Sequence, residues 1–182
     1  MKELSLNILD IAENSVKAGA TLTEITVDEN GSTLSITIKD NGSGMPAQTL
    51  AAVTDPFYTT RTTRSVGLGI PLIKMSAEPT GGYRELKSKV ADDADATHGT
   101  ELFALYYKNH IDFTPLGDVI STVTTLIQGH PDVDFTFVHR TEYGEVRLET
   151  AALREVLGEV SLASYEVIKW ITEYLREQYD EI

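Results

Sequence analysis

The chain has 182 residues, 41% of them hydrophobic, no cysteine, and a formal net charge of -13. That length allows one full domain with a small addition, and the missing thiols exclude disulfides, thiol nucleophiles and cysteine-held metals. The acidic balance argues against nucleic-acid or anionic-membrane binding, no stretch approaches ~20 apolar residues, and "MKELSLNILD" lacks a signal-peptide core, so a cytoplasmic protein is expected.

From the N-terminus, Leu4, Ile8, Leu9, Ile11, Ala12 and Val16 share one face at ~100° per residue, which predicts an amphipathic helix over 4–16. Asn7, Asp10, Asn14 and Lys17 fall on the opposite, polar side. The helix should stop near Gly19. Ile25 and Val27, then Leu34, Ile36 and Ile38, alternate on either side of the Asn-Gly turn in "ENGS", a hairpin that delivers Asp40 to its end. A short helix is expected after Pro46, then a polar strap over 55–66, then Gly67-Leu68-Gly69 and a helix opened by Pro71. "GGYRELKSKV" and "GTELFALYY" read as strands, joined by the acidic, turn-like "ADDADAT". Composition shifts over 109–118. Beyond it the pattern predicts a helix over 116–127, strands over 133–139 and 145–149, and helices over 150–157 and 164–179. The expected organisation is thus a first unit, 1–110, and a small α/β unit, 116–182, that carries no motif.

Several short stretches carry chemistry. Asp10 and Asn14, four apart on a helix, can address one bound group or form a solvated face. In "DNGSGM", Asp40 stands at a strand end before Gly42 and Gly44, whose missing Cβ atoms permit positive φ and close approach of a flat ligand. An ionised aspartate only accepts hydrogen bonds, so it suits the exocyclic amine of adenine and repels the carbonyl of guanine. A plain turn is the alternative; a calcium loop fails because its twelfth position is Ala51. Gly67 and Gly69 before Pro71 would leave backbone donors at a helix N-terminus, suited to phosphate, and Arg61 and Arg64 in the strap add cationic donors. A dinucleotide fingerprint is excluded by Leu72 at its third glycine position, and no G-x-x-x-x-G-K-[ST] loop occurs.

Taken in order, "LDIAENSVKAGA", "DNGSGM", "DPFYTTRTTRSVGLGI" and "HGTEL" resemble the ATP-binding domain shared by gyrase, the large heat-shock chaperones, sensor histidine kinases and mismatch-repair ATPases, the GHKL superfamily with its Bergerat fold. The resemblance covers residues 1–108. It implies an α/β two-layer sandwich, helices over a mixed sheet, with a small C-terminal α/β appendage. It implies ATP and magnesium as cofactors, with Asn14 on the metal, Asp40 on the adenine, Gly42 and Gly44 beside the base, and Thr100 near it. Residues 55–66 would be the ATP lid, with Arg61 and Arg64 as phosphate contacts and Gly67 and Gly69 as its hinge. The sequence departs from hydrolytic members at Asp10, where they carry glutamate; the shorter side chain puts a general base there in doubt, and Glu13 is the next candidate. His98, His110, His130 and His139 all follow the ATP motifs, and none has the setting of a phosphoacceptor. The expectation is a stand-alone, histidine-kinase-like Mg-ATPase or protein kinase module without its own phosphoacceptor box, working with an unidentified protein partner. The alternative is a non-catalytic, ATP-dependent switch that binds such a partner.

Overall fold

The computed structural model describes residues 3–54, 69–92 and 97–182. α1 (Leu4–Lys17) lays Leu4, Ile8, Ile11 and Ala12 onto the sheet, all buried as their spacing requires. β1 (Leu22–Glu29) and β2 (Thr33–Asp40) form the expected antiparallel hairpin, with Ile25 opposite Ile38 and Val27 opposite Ile36. Alternate residues of both strands are buried under the helices. Burying each such side chain contributes about 1.5–3 kcal/mol, so a one-residue slip that turned this row to the other face is strongly opposed.

α2 (Ala47–Thr54) follows Pro46, and α3 (Gly69–Ala77) leads through a 3-10 turn (Glu78–Thr80) into β3 (Tyr83–Lys89) and β4 (Gly99–Tyr107). α3 begins two residues before Pro71, because a proline in the first turn costs no intrahelical hydrogen bond. β4 pairs with both β2 and β3, antiparallel in each case.

α4 (Val119–Gly129), β5 (Asp134–Arg140), β6 (Glu145–Glu149), α5 (Thr150–Leu157) and α6 (Tyr165–Asp180) complete the chain. α4 starts three residues later than its apolar pattern suggests. Gly117 takes φ +80, and Asp118 then caps the helix by accepting from the Ser121 N–H at 2.9 Å. β5 lies parallel to β1 and β6 antiparallel to β5, giving one mixed sheet in the order β3-β4-β2-β1-β5-β6. The two units expected from the sequence therefore share a sheet. They also share a core, in which Leu4 and Ile8 of α1 cluster with Val123 and Leu126 of α4 and Ile171 and Leu175 of α6.

One expectation on α1 fails. Asn7, assigned to the polar side, is fully buried, and among the described residues neither of its amide atoms has a hydrogen-bond partner. It stands one turn before Asp10 and Ile11, the residues against which Gly69 of α3 packs.

Candidate functional site

β2 ends at Asp40, and the turn beyond it is held from several sides. Asp40 Oδ1 accepts from the Gly42 N–H at 2.9 Å and the Thr100 N–H at 3.2 Å, while Oδ2 accepts from the Ser15 hydroxyl at 2.7 Å. Asn41 ties the same turn to β1, its Oδ1 accepting from the N–H groups of Thr21 and Leu22 at 2.9 and 3.0 Å. His98 Nδ1 lies 2.5 Å from the Gly42 carbonyl oxygen. Since a carbonyl only accepts, that nitrogen carries the proton.

Two glycines let backbone come close to backbone here. Gly99 has φ +130, and a Cβ on it would stand 1.9 Å from the Asp40 carbonyl oxygen. Gly44 has φ +69, and its Cβ would stand 1.9 Å from the Lys89 carbonyl oxygen. Any larger residue would push the start of β4, or the end of β3, off the turn.

A cavity of about 530 Å³ opens above this floor, between α1, the turn and the start of α3. Ile38, Leu86 and Leu102 of the sheet, Met45 of the turn and Ile11 and Ile70 of the helices give it apolar walls. Asn14, Ser15, Asp40 and Thr100 supply polar groups. The volume lies within the ~300–1,000 Å³ usual for small-molecule and cofactor sites, and an apolar slot with a carboxylate at its base suits a flat ring bearing an amino group. α3 is anchored beside it through Ser76, whose hydroxyl lies 3.2 Å from the Tyr106 hydroxyl. Burial pushes the Tyr106 phenol up to about 12, against the opposing effect of the Ser76 hydrogen bond, so it stays protonated.

Of the residues singled out in the sequence, Asn14, Asp40, Gly44 and Thr100 line this cavity, and Gly42 closes the turn beneath it. Gly69 is the first residue of α3 and packs so tightly on α1 that a Cβ there would meet the Asp10 Cβ at 2.9 Å. Asp10 itself is exposed and not among the lining residues. Arg61, Arg64 and Gly67, with the rest of the 55–66 strap, lie outside the described residues. Glu13 is engaged elsewhere, its Oε1 2.8 Å from His130 Nε2 in the connection between α4 and β5.

Two participants escaped the sequence reasoning. Ser15 follows Asn14 on α1 and could have been found by asking which neighbour could donate to a strand-end carboxylate. His98 carried no assigned role, although its place two residues before Thr100 put it beside the turn.

An α/β sandwich with its cavity between the first helix, a strand-end Asp-Asn-Gly-Ser-Gly turn and the helix after a glycine pair has the Bergerat layout. The chain belongs to the histidine kinase-, DNA gyrase B- and HSP90-like ATPase family, whose model matches residues 2–111, more than half of its length. The sensor protein SrrB of Staphylococcus aureus is 36% identical over 95 residues, a match spanning 50% of this chain and only 16% of SrrB. Among solved structures, the Aquifex aeolicus MutL ATPase domain complexed with ADP superposes with a TM-score of 0.52 at 16% identity, covering 86% of this chain and 69% of that one. The topoisomerase IV ATP-binding domain of Francisella tularensis gives 0.50 at 14% identity, covering 81% and 87%. These two likenesses establish the fold. Among the described residues no helix is long and apolar enough to cross a membrane.

Proposed function

We propose that the cavity binds Mg-ATP, with the adenine ring in the apolar slot and its amino group on Asp40 Oδ2. The observation that carries this is the arrangement of the Asp40 carboxylate. Oδ1 already serves two backbone donors, whereas Oδ2 serves only the Ser15 hydroxyl and keeps a lone pair available at the cavity. Asn14, on the same wall and one residue before Ser15, would hold magnesium through its carboxamide oxygen. Among the described residues no group of three or more His, Asp or Glu side chains could hold a metal. A magnesium held by Asn14 would complete its coordination with phosphate oxygens and water. Bound there, it would neutralise phosphate charge, while the residues of the chain position the base and exclude water from it.

Calorimetry with Mg-ATP and Mg-GTP tests this assignment. The wild type should prefer ATP by about 10-fold or more, since a hydrogen bond to a charged acceptor is worth ~1.5–3 kcal/mol. In Asp40→Asn the preference should vanish or invert, because one acceptor becomes an N–H donor. Equal affinities in the wild type would remove Asp40 from this role.

With the bound nucleotide, the protein acts as a histidine-kinase-like ATPase or as a kinase toward a partner chain. A specific observation favours the second reading, a switch that binds nucleotide without turning it over. Asp10, the residue at the position of the family's base, is one methylene shorter and lies outside the lining of the cavity, and Glu13 is held by His130. If Asp10 activates water, slow ATP turnover should fall by about 10²–10⁴-fold in Asp10→Asn while nucleotide binding persists. Turnover absent from both proteins, with Mg-ATP still raising the melting temperature, identifies the switch.

A further inference from the structure

α6 turns Val167, Ile171 and Leu175 into the core. On another side of the same helix Trp170 and Tyr174 stack in parallel, their ring centroids 4.9 Å apart and their planes 9° off. The pair stays open to water, Trp170 48% exposed and Tyr174 37%. Aromatic surface left in water one turn from a buried stripe calls for an explanation.

Three carboxylates flank the stack. At ~100° per residue, Glu166, Glu173 and Glu177 fall with Trp170 and Tyr174 in one sector of roughly 100°. The cations of α6, Lys169 and Arg176, lie outside that sector; the Asp118 carboxyl at the cap of α4 is held down chiefly by its hydrogen bonds from Ser121, with Arg176 adding a smaller attraction. None of the three glutamates is paired with a cation among the described residues. The stripe runs from Glu166 to Glu177, three helical turns or about 17 Å.

The neighbouring sheet edge is closed to strand addition. Gln178 mimics a paired strand at β6, its Oε1 accepting from the Arg147 N–H at 2.9 Å and its Nε2 donating to the Arg147 carbonyl at 3.0 Å. What docks beside it must bind through side chains. Phosphate-rich partners, nucleic acid or anionic lipid, are repelled by three unpaired carboxylates on a chain of net charge -13.

We infer that this face of α6 is a docking surface for a cationic, amphipathic helix of a partner protein, whose arginine or lysine side chains lie against the Trp170–Tyr174 stack with their charges beside Glu166, Glu173 and Glu177. Cations over an indole or phenol face gain from the ring quadrupole, and the flanking carboxylates add charge-assisted hydrogen bonds. A three-turn stripe matches a partner helix lying along α6 with cations at every third or fourth position. The inference stands on α6 alone and is independent of the nucleotide site.

Trp170 is the only tryptophan in the chain, so its emission reports on this surface directly. The probe is an alanine-based helical peptide with arginines on one face, titrated into the full chain beside a peptide of the same composition with its arginines spread around the helix. The one-faced peptide should shift Trp170 emission and bind at least about 5-fold tighter than the spread one, with affinity falling as salt rises. Tyr174→Ala and the double variant Glu173→Gln/Glu177→Gln should each weaken it by about 5-fold or more, and Tyr174→Phe should restore most of the loss. All substituted side chains are exposed, and circular dichroism melts matching the wild type verify the fold. Unchanged emission, equal binding of the two peptides, or full affinity in both variants overturns the inference.

Discussion

At the floor of the cavity the Asp40 carboxylate is held from three sides, whereas Asp10, on the neighbouring turn of α1 beside the start of α3, is exposed. Asp40 is gripped by Ser15 and by the N–H groups of Gly42 and Thr100, and the Gly42 carbonyl is taken by His98. Asp10, two turns along α1 from Leu4, is exposed and makes no side-chain hydrogen bond among the described residues. The contrast has a physical source. Recognition of a base needs donors and acceptors set before the ligand arrives, since ordering them on binding costs affinity. Under the proposed function, groups that meet phosphate and metal would gain partners only when the ligand is present.

This contrast can be broken by damaging the rigid end. Gly99→Ala puts a side chain onto a φ of +130 and against the Asp40 carbonyl oxygen, so it should cost about 3 kcal/mol or more in urea unfolding and abolish nucleotide binding. A loss under about 0.5 kcal/mol would mean that the floor is not the tight junction described. At the other end, Asn14→Ala should leave stability nearly unchanged. It should weaken magnesium-dependent nucleotide binding by about 10–100-fold, with binding in EDTA reduced less than about 2-fold. Equal losses with and without magnesium would detach Asn14 from the metal. The smallest effect is expected at His98. His98→Phe keeps a ring and deletes the donor to Gly42, which should weaken ATP and ADP alike by about 3–10-fold, the worth of one hydrogen bond, with partial recovery in His98→Gln. If affinity is unaffected, the Gly42 carbonyl needs no partner for the turn to hold its shape.

How much of this was legible in the sequence follows the same division. The elements came through where period and punctuation agreed: the strict alternation around Asn30-Gly31, the apolar stripe of α1, and the run from β6 into α5. α4 was placed early because Leu116 fits the apolar stripe, while the positive φ of Gly117 and the cap at Asp118 depend on backbone geometry that a stripe does not encode. Asn7 fell on the polar side because polarity is read one residue at a time, whereas its burial is set by the tertiary packing of α1. Of the residues that line or close the cavity, Asp40 with its glycines and Asn14 on its helix stand in local motifs and were visible. Ser15 and His98 were not, because each works across a long sequence separation, 25 residues to Asp40 and 56 to Gly42. The parallel pairing of β5 with β1, which joins the two halves into one sheet, is equally non-local.

The central claim is that Asp40 is the base-reading group of a nucleotide site, and a crystal structure with magnesium and a non-hydrolysable ATP analogue tests it most directly. The account predicts the adenine ring between Ile38, Leu102 and Met45, its amino nitrogen about 2.7–3.2 Å from Asp40 Oδ2, and magnesium on the Asn14 carboxamide oxygen. A base lying outside this cavity, or inside it with its amino group turned away from Asp40, would contradict it.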